Sequence, residues 1–392
     1  MFRFKHYTLL TREGWIYLAL LMLLLIGALV RQINLLVVLY GMLAGPLLLS
    51  WGLSRRTIVG LVLKRHLPDS IPAGETFVVQ LEAKNTRSRL SSWAVGVQDR
   101  IQREGPHSTG WKPQLLFNYL KAGESHRESY RGRLVRRGRY QFGPLGISTR
   151  FPFGLLKSST SVELADAILV TPRTGRMTRA WRERLAQVLD ADGRGKLKRR
   201  SREGDFFGLR EWRSDDSPRA IHWRSSARRQ KLIVRQHEQS RRQDVTIVLD
   251  LWQSEAAGTI EQESVELAVS FVATVLADLA RLEGANVRLK VTGSAPLELT
   301  GSCSQGFVST AHEQLATVEA HRNDELPAML GKALDETRSG AAVVVVSTRP
   351  PRLHDPARFP AGWRLPRRVE PLSRTIEVDL SASDWKTYFE VD

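Results

Sequence analysis

Two uncharged apolar runs open the chain, Gly14–Val30 and Leu35–Leu53, with only Arg31, Gln32, Ile33 and Asn34 between them. Each run approaches the ~20 residues that cross a hydrocarbon core about 30 Å thick. The pattern therefore predicts an antiparallel transmembrane hairpin over residues 1–56. Gly41 and Gly45, four apart, offer a smooth face for close helix contact, and Pro46 predicts a kink. Trp15 and Trp51 stand at the ends, where amphipathic rings prefer the interface. Arg3, Lys5 and Arg12 precede the first run, and Arg55, Arg56, Lys64 and Arg65 follow the second, against Arg31 alone in the turn. That asymmetry places both termini on the cytoplasmic side of a bacterial inner membrane. No A-x-A-like site follows the first run and a second run comes at once, which argues against a cleaved leader.

From residue 57 to 172 the period shortens to two. Thr76–Ala83, Trp93–Gln98, Glu128–Val135 and Val162–Val170 alternate between Gly and Pro punctuation, the pattern of an all-β, sandwich-like antiparallel domain. Gly138, Gly143-Pro144 and Gly154 are placed for tight turns. A helix is expected from Arg176 to Leu189. After Asp244 the pattern changes again. Asp244–Asp250 and Ala341–Ser347 read as fully buried strands, Val287–Val291 and Thr375–Leu380 as further ones. Glu261–Leu282 carries apolar residues at helical spacing and is closed by Gly284; Phe307–Val318 and Leu326–Thr337 complete an α/β alternation over residues 243–392. Such a doubly wound parallel sheet presents ligand-binding loops at its strand ends, here Asp250–Ser254 and Ser347-Thr348.

Charge adds a feature that hydropathy does not show. The 392 residues carry a formal charge of +17, which favours acidic partners such as anionic lipid headgroups or an acidic protein face. The excess concentrates between Arg194 and Arg242, where 16 Lys or Arg face 6 Asp or Glu. This charge centre lies in a wider basic helix and loop segment, residues 173–242, in which Arg194–Arg202 is expected as an exposed loop. Ser217 and Pro218 are placed to cap and start a helix reaching Arg229, with Asp215 and Asp216 at its positive end. Lys231–Glu238 alternates as a strand. Aromatics among arginines can stack bases. The spacing matches no nucleic-acid module, however, so Trp212 and Trp223 are expected to be packed, with the arginines pairing Glu211, Asp215 and Asp216. The single cysteine, Cys303, excludes an internal disulfide framework.

The same segment resembles the signature of the domain of unknown function 58 family. The matching residues are Leu209, Arg210, Asp216, Arg219, Ile221, Trp223, Ser226, Ala227, Arg228, Leu232, Val234, Arg235 and Glu238. Asp215 and Trp212 replace the usual Gly and Tyr. The upstream Arg-Arg-Gly-Arg-Tyr-x-x-Gly-Pro and Pro-Phe-Gly-Leu elements also resemble the family's. The resemblance implies a membrane-anchored protein with a von Willebrand factor A-like domain and a MoxR-type AAA+ ATPase as partner. Arg210, Asp216, Arg219, Trp223, Arg224, Arg228 and Arg235 are the signature and interaction candidates.

Metal-binding von Willebrand A domains carry a D-x-S-x-S loop that holds Mg²⁺. Here the loop reads Asp250-Leu251-Trp252-Gln253-Ser254, and Ser347-Thr348 stands where an aspartate is common. Octahedral Mg²⁺ needs several hard oxygens and tryptophan has none, so no cofactor is expected. Asp250 and Ser254 remain the candidates for a metal-dependent or hydrolytic alternative. No P-loop, H-E-x-x-H or G-x-S-x-G pattern occurs; His312-Glu313 has Ala316 where the second His would stand. The sequence thus reads as a membrane-tethered adaptor rather than an enzyme.

Overall fold

The computed structural model describes residues 7–105, 110–190, 206–213, 216, 218–237, 244–256, 258–282, 285–337, 341–353, 355, 375–382 and 384–391. The chain forms two compact units, residues 1–171 and 172–392. The first holds both the apolar helices and the β-rich region.

The first unit begins with β1 (Tyr7–Leu10), α1 (Arg12–Arg31) and α2 (Asn34–Ile58). There follow β2 (Leu61–His66), β3 (Ser70–Pro72), β4 (Thr76–Asn85), β5 (Ser92–Gln98) and β6 (Ile101–Arg103). Next come β7 (Gly110–Trp111), β8 (Gln114–Leu120), β9 (Ser125–Arg133) and β10 (Gly138–Phe142). β11 (Leu145–Thr149), β12 (Leu156–Val162) and β13 (Asp166–Thr171) close it. Gln32, in the left-handed conformation, turns the hairpin. At 25 residues α2 is about 37 Å long, more than a hydrocarbon core, so its last turns run on into the β region. There Ser54, Thr57 and Ile58 are buried. Both helices are long and apolar enough to cross a membrane. Their side chains face outward instead of filling a core, Leu35 being 75% and Met42 78% exposed.

Two expectations for the hairpin are corrected. A Cβ added at Gly41 or Gly45 would meet nothing within 4 Å, so these glycines do not mediate contact with α1. Tyr17 bridges the two helices instead, donating its hydroxyl to the Leu43 carbonyl at 2.7 Å, one residue after the Met42 carbonyl that Pro46 leaves without its helical donor. The chain ahead of the first helix is also a strand: β1 pairs with β12, so both ends of the hairpin lead into the same β region.

The strands form sheets ordered β1-β12-β11-β5-β8, β3-β13-β10-β6-β7 and β2-β4-β9 around one core of Phe77, Val79, Leu81, Val97, Phe117, Phe142 and their neighbours. The run Val162–Val170, expected as one strand, is split between β12 and β13. Arg65 on β2 ties the sheets together. It reaches Asp99 through Nε (3.0 Å) and Nη2 (2.8 Å) and Asp166 through Nη1 (2.6 Å), while the Tyr130 hydroxyl donates to Asp99 at 2.7 Å. Burial, with Asp99 beside it, pushes the Tyr130 hydroxyl above its ordinary range.

The second unit contains β14 (Arg176–Met177), α3 (Arg179–Asp190), β15 (Phe206–Glu211), α4 (Trp223–Arg229) and β16 (Ile233–His237). These precede β17 (Asp244–Asp250), α5 (Thr259–Leu279), β18 (Asn286–Thr292), β19 (Leu297–Ser302) and α6 (Gln305–Thr317). α7 (Leu326–Glu336), β20 (Ala342–Ser347), β21 (Thr375–Asp379) and β22 (Phe389–Glu390) complete it. The main sheet has the order β19-β18-β17-β20-β21. Its four parallel strands carry an antiparallel edge, β19, which was not expected. β19 alternates half-buried and exposed residues, as an edge strand covered on one face does. Helices lie on both faces: Ile247, Leu249 and Val344 pack with α3, α5 and α6, and Val248, Val343 and Val345 with α7.

Residues 173–190 belong to this unit and not to a separate basic segment. β14 pairs with β22 near the C-terminus, and Trp181 meets Phe271 edge-on at 5.3 Å. The buried hydroxyls of α5 satisfy the incoming backbone, Ser270 donating to the Arg173 carbonyl and Thr274 accepting from the Gly175 N–H. Gly284 and Arg194–Arg202 lie outside the described residues.

Candidate functional site

β17 and β20 run side by side and deliver Asp250 and Ser347 to the same end of the sheet. Asp250 is completely buried. Its Oδ1 accepts from Thr292 at 3.0 Å and its Oδ2 from Ser347 at 2.9 Å. The countercharge comes from Arg349, whose Nε lies 3.5 Å from Oδ2 and whose other end pairs Asp324. The same guanidinium stacks 4.8 Å over the Trp252 ring. Trp252 in turn donates its indole N–H to the Arg322 carbonyl at 2.9 Å, and Thr348 exchanges hydrogen bonds with the Trp252 backbone. A carboxylate withdrawn from water needs a partner, and here a protein cation occupies that role.

Ser254 is committed elsewhere. Its hydroxyl and its N–H both point to Glu261 Oε2, at 2.7 and 3.0 Å, and those bonds hold the Glu261 carboxyl below its usual range. Asp250 and Ser254 thus have different partners. Among the described residues no cluster of three His, Cys, Asp or Glu side chains forms a metal cage. Asp250 is also too deep to be a docking contact; the exposed part of this end is Glu255 with Arg322, paired at 2.9 Å.

The second candidate is the arginine-rich signature. β15 and β16 pair antiparallel, and the segment between them returns through a 3-10 turn at Pro218–Ala220 before α4. The single helix expected from Pro218 to Arg229 is broken at Ile221 and His222. Ile221 bridges to Val234, and the His222 N–H donates to the Ile233 carbonyl at 2.8 Å, so sheet pairing wins there over helix continuity. Ser217 and Asp215 lie outside the described residues, as do the side chains of Arg219 and Arg235. Arg210 grips Asp216 with two bonds of 2.6 Å, and the Arg213 N–H adds a third at 2.8 Å. The Arg210 bonds, with the Arg213 amide, lower the Asp216 carboxyl from its ordinary value.

Buried Ser226 fastens α4 to β16, accepting from the Ile233 N–H at 2.9 Å and bonding back to the His222 carbonyl at 3.1 Å. Trp212 is half-buried, but Trp223 is 67% exposed, contrary to the packed position expected for it. Trp223 opens the seven-residue α4 and is exposed together with Arg224, Arg228 and Arg229, while Ser226 is the residue that α4 buries. Arg224, Arg228 and Arg229 have no carboxylate partner among the described residues. Glu211 pairs Lys231 at 3.0 Å instead. The signature therefore divides into residues that close its fold (Arg210, Asp216, Ser226) and residues that it displays (Trp223, Arg224, Arg228).

Residues 208–349 match the family described as "Protein of unknown function DUF58". The matched span joins the signature to the main sheet as far as Arg349. The chain is also similar to "Uncharacterized protein YeaD" of Bacillus subtilis (strain 168), 26% identical over 163 residues. That similarity covers 42% of this chain and 39% of the relative, well under two thirds of its length. Solved structures show only loose likeness. A CARDB domain from Pyrococcus furiosus is covered over 94% of its length by 28% of this chain, at 14% identity and a TM-score of 0.19. The sporulation control protein Spo0M from Bacillus subtilis aligns with 40% of this chain and 58% of its own, at 13% identity and a TM-score of 0.18.

The other reactive groups are structural. Cys303 is buried, its thiol pushed up to about 11 by that burial and facing the Leu276 carbonyl. His312 lies against the Ala273 carbonyl, and burial lowers its proton affinity. Sequence reasoning missed Arg349, whose role depends on the end of a strand distant in the chain from Asp250. It also missed Ser226 as a fastener, although Ser226 stood among the matched signature residues.

Proposed function

We propose that this chain is a membrane-anchored interaction protein without catalysis of its own, whose second unit docks a MoxR-type AAA+ ATPase. Exposed Trp223 beside three arginines that have no carboxylate partner among the described residues carries this reading. Tryptophan and arginine dominate the energy of protein interfaces, and solvent rarely retains both in one patch without a use. Leu209 on β15 and Leu232 ahead of β16 are exposed too, so the segment shows apolar side chains among basic ones, a mixture that suits an acidic partner.

The anchor reading rests on the outward apolar faces of α1 and α2, which need lipid where no protein covers them. Positive charge at both outer ends of the hairpin favours a bacterial inner membrane with both termini cytoplasmic. Nucleic acid is disfavoured as partner by the lack of any matching module. A von Willebrand factor A-like, doubly wound second unit is supported by the sheet order and by an aspartate ending its central strand. Arg349 already neutralises that aspartate, which favours a loop without Mg²⁺. A hydrolytic centre at Asp250 and Ser254 draws no support from their separate partners.

The test is co-purification of the full-length, detergent-solubilised protein with a MoxR-type AAA+ ATPase, with nucleotide present. Trp223→Ala and Arg224→Glu/Arg228→Glu are each expected to reduce recovery at least tenfold. Undiminished recovery with folded variants would remove this surface from the interface. No association of the native protein at micromolar concentration would remove the partner.

A further inference from the structure

At the end of α2 the helix, the loop after β4 and a basic cluster enclose an open groove of about 690 Å³. Its apolar wall includes Leu48, Trp51 and Leu90, all exposed, and its charged wall is Arg55, Arg56 and Arg87. Arg87 is fixed in place. Its Nε donates to Asn85 Oδ1 at 2.9 Å, Nη1 to the Arg56 carbonyl, and Nη2 to the Thr57 carbonyl and the Ser92 hydroxyl. It thereby caps the last turn of α2 using neutral acceptors only.

Among the described residues no carboxylate pairs with any of the three guanidinium groups. The negative end of the helix dipole amounts to roughly half a charge and offsets only part of three. Partial burial already disfavours the charged form of Arg87. The groove thus joins uncompensated positive charge to a strip of apolar surface that continues along α2. An anion alone would leave the strip wet, and an alkyl chain alone would leave the charges unmet.

We propose that this groove holds one anionic phospholipid, its phosphate on Arg55, Arg56 and Arg87 and an acyl chain along Leu48, Trp51 and Leu90. The proposal rests on the reading that α1 and α2 span a membrane. Bound there, the lipid fixes the depth of the α2 exit and couples the β region to leaflet composition. Arg55 and Arg56 are the adjustable contacts, because their side chains are exposed, whereas Arg87 also holds the helix end.

Native mass spectrometry of the full-length protein in micelles, with phosphatidylglycerol and phosphatidylcholine of equal acyl chains, tests the site. One phosphatidylglycerol is expected to bind at least tenfold more tightly than phosphatidylcholine. Arg55→Gln/Arg56→Gln should weaken it about 25-fold, roughly fivefold per charge near the surface. Arg55→Lys/Arg56→Lys should retain most of the preference. Removal of equal charge at exposed strand positions, Arg131→Gln/Arg139→Gln, should change nothing. Equal binding of both lipids, or full retention in the double Gln variant, overturns the proposal. Competition by glycerol phosphate at the same concentration as lipid overturns the lipid as occupant, leaving a free-phosphate site. Flotation with phosphatidylcholine vesicles keeps the two readings apart: folded protein that fails to float sinks the membrane anchor. Protein that floats but shows no headgroup preference sinks only the groove.

Discussion

Arg349→Met removes the only protein cation within 4 Å of the Asp250 carboxylate among the described residues, while keeping an unbranched stem over Trp252. At 3.5 Å and an effective dielectric constant near 20, the pair attracts by about 4.7 kcal/mol (332 divided by 20 and by 3.5). Two features reduce what the substitution costs. Arg349 retains 21% side-chain exposure and divides its charge between Asp250 and Asp324. A net loss of about 2–3 kcal/mol is expected, at or below the bottom of the roughly 3–5 kcal/mol range for breaking a fully buried pair. Asp250→Asn should cost a comparable amount, because Asn keeps one acceptor but turns an amide toward Ser347 or Thr292. The double variant then loses no uncompensated charge, so the coupling energy should be about 2 kcal/mol. Amide hydrogen exchange at β17 and β20 in the full-length protein reads the opening free energy of this unit without isolating it. A coupling below about 0.5 kcal/mol would refute the reasoning that Arg349 serves as the cation of the strand-end loop.

Millimolar Mg²⁺ is expected to leave the thermal transition of the second unit unmoved; one site at 100 times its dissociation constant would add about 2.7 kcal/mol, and a rise abolished by Asp250→Asn would contradict the loop's neutrality. Gly14→Ala should destabilise the first unit by roughly 1–3 kcal/mol, because a Cβ there would lie 2.1 Å from the Leu155 carbonyl oxygen, whereas Gly27→Ala, facing open space, should not. The detergent-solubilised melting profile compares the two. The lowered Asp216 carboxyl contributes stability above the ordinary carboxylate range near 3.9, lost as pH falls through its folded value, so exchange of the Arg213 amide should accelerate only in acid. Unchanged protection down to pH 2 would discount the Arg210 pair. A fluorescent reporter fused after Asp392 should glow in the cytoplasm and an alkaline phosphatase fused there should stay silent; the reverse outcome would overturn the hairpin topology.

What the chain displays by itself is periodicity. Uncharged runs, alternation, and apolar stretches ending in Asp250 and Ser347 placed the apolar hairpin, the β region and the buried strands, because those elements obey burial rules local to each segment. Local pattern also located the turns at Gly143 and Gly154. It could not decide which face of a short helix turns inward. Trp223 was expected to be buried because it is large and apolar, yet α4 buries the small Ser226, bonded to Ile233, and leaves the tryptophan at its first position outside. It could not join Trp181 to Phe271 and Phe389, or Arg65 to Asp99 and Asp166, since those contacts span many residues. Nor could it supply the cation for Asp250. The sequence shows Trp252 in the strand-end loop, but only the pairing of β17 with β20 carries Arg349 to the carboxylate, and that proximity belongs to the sheet, not to the order of residues.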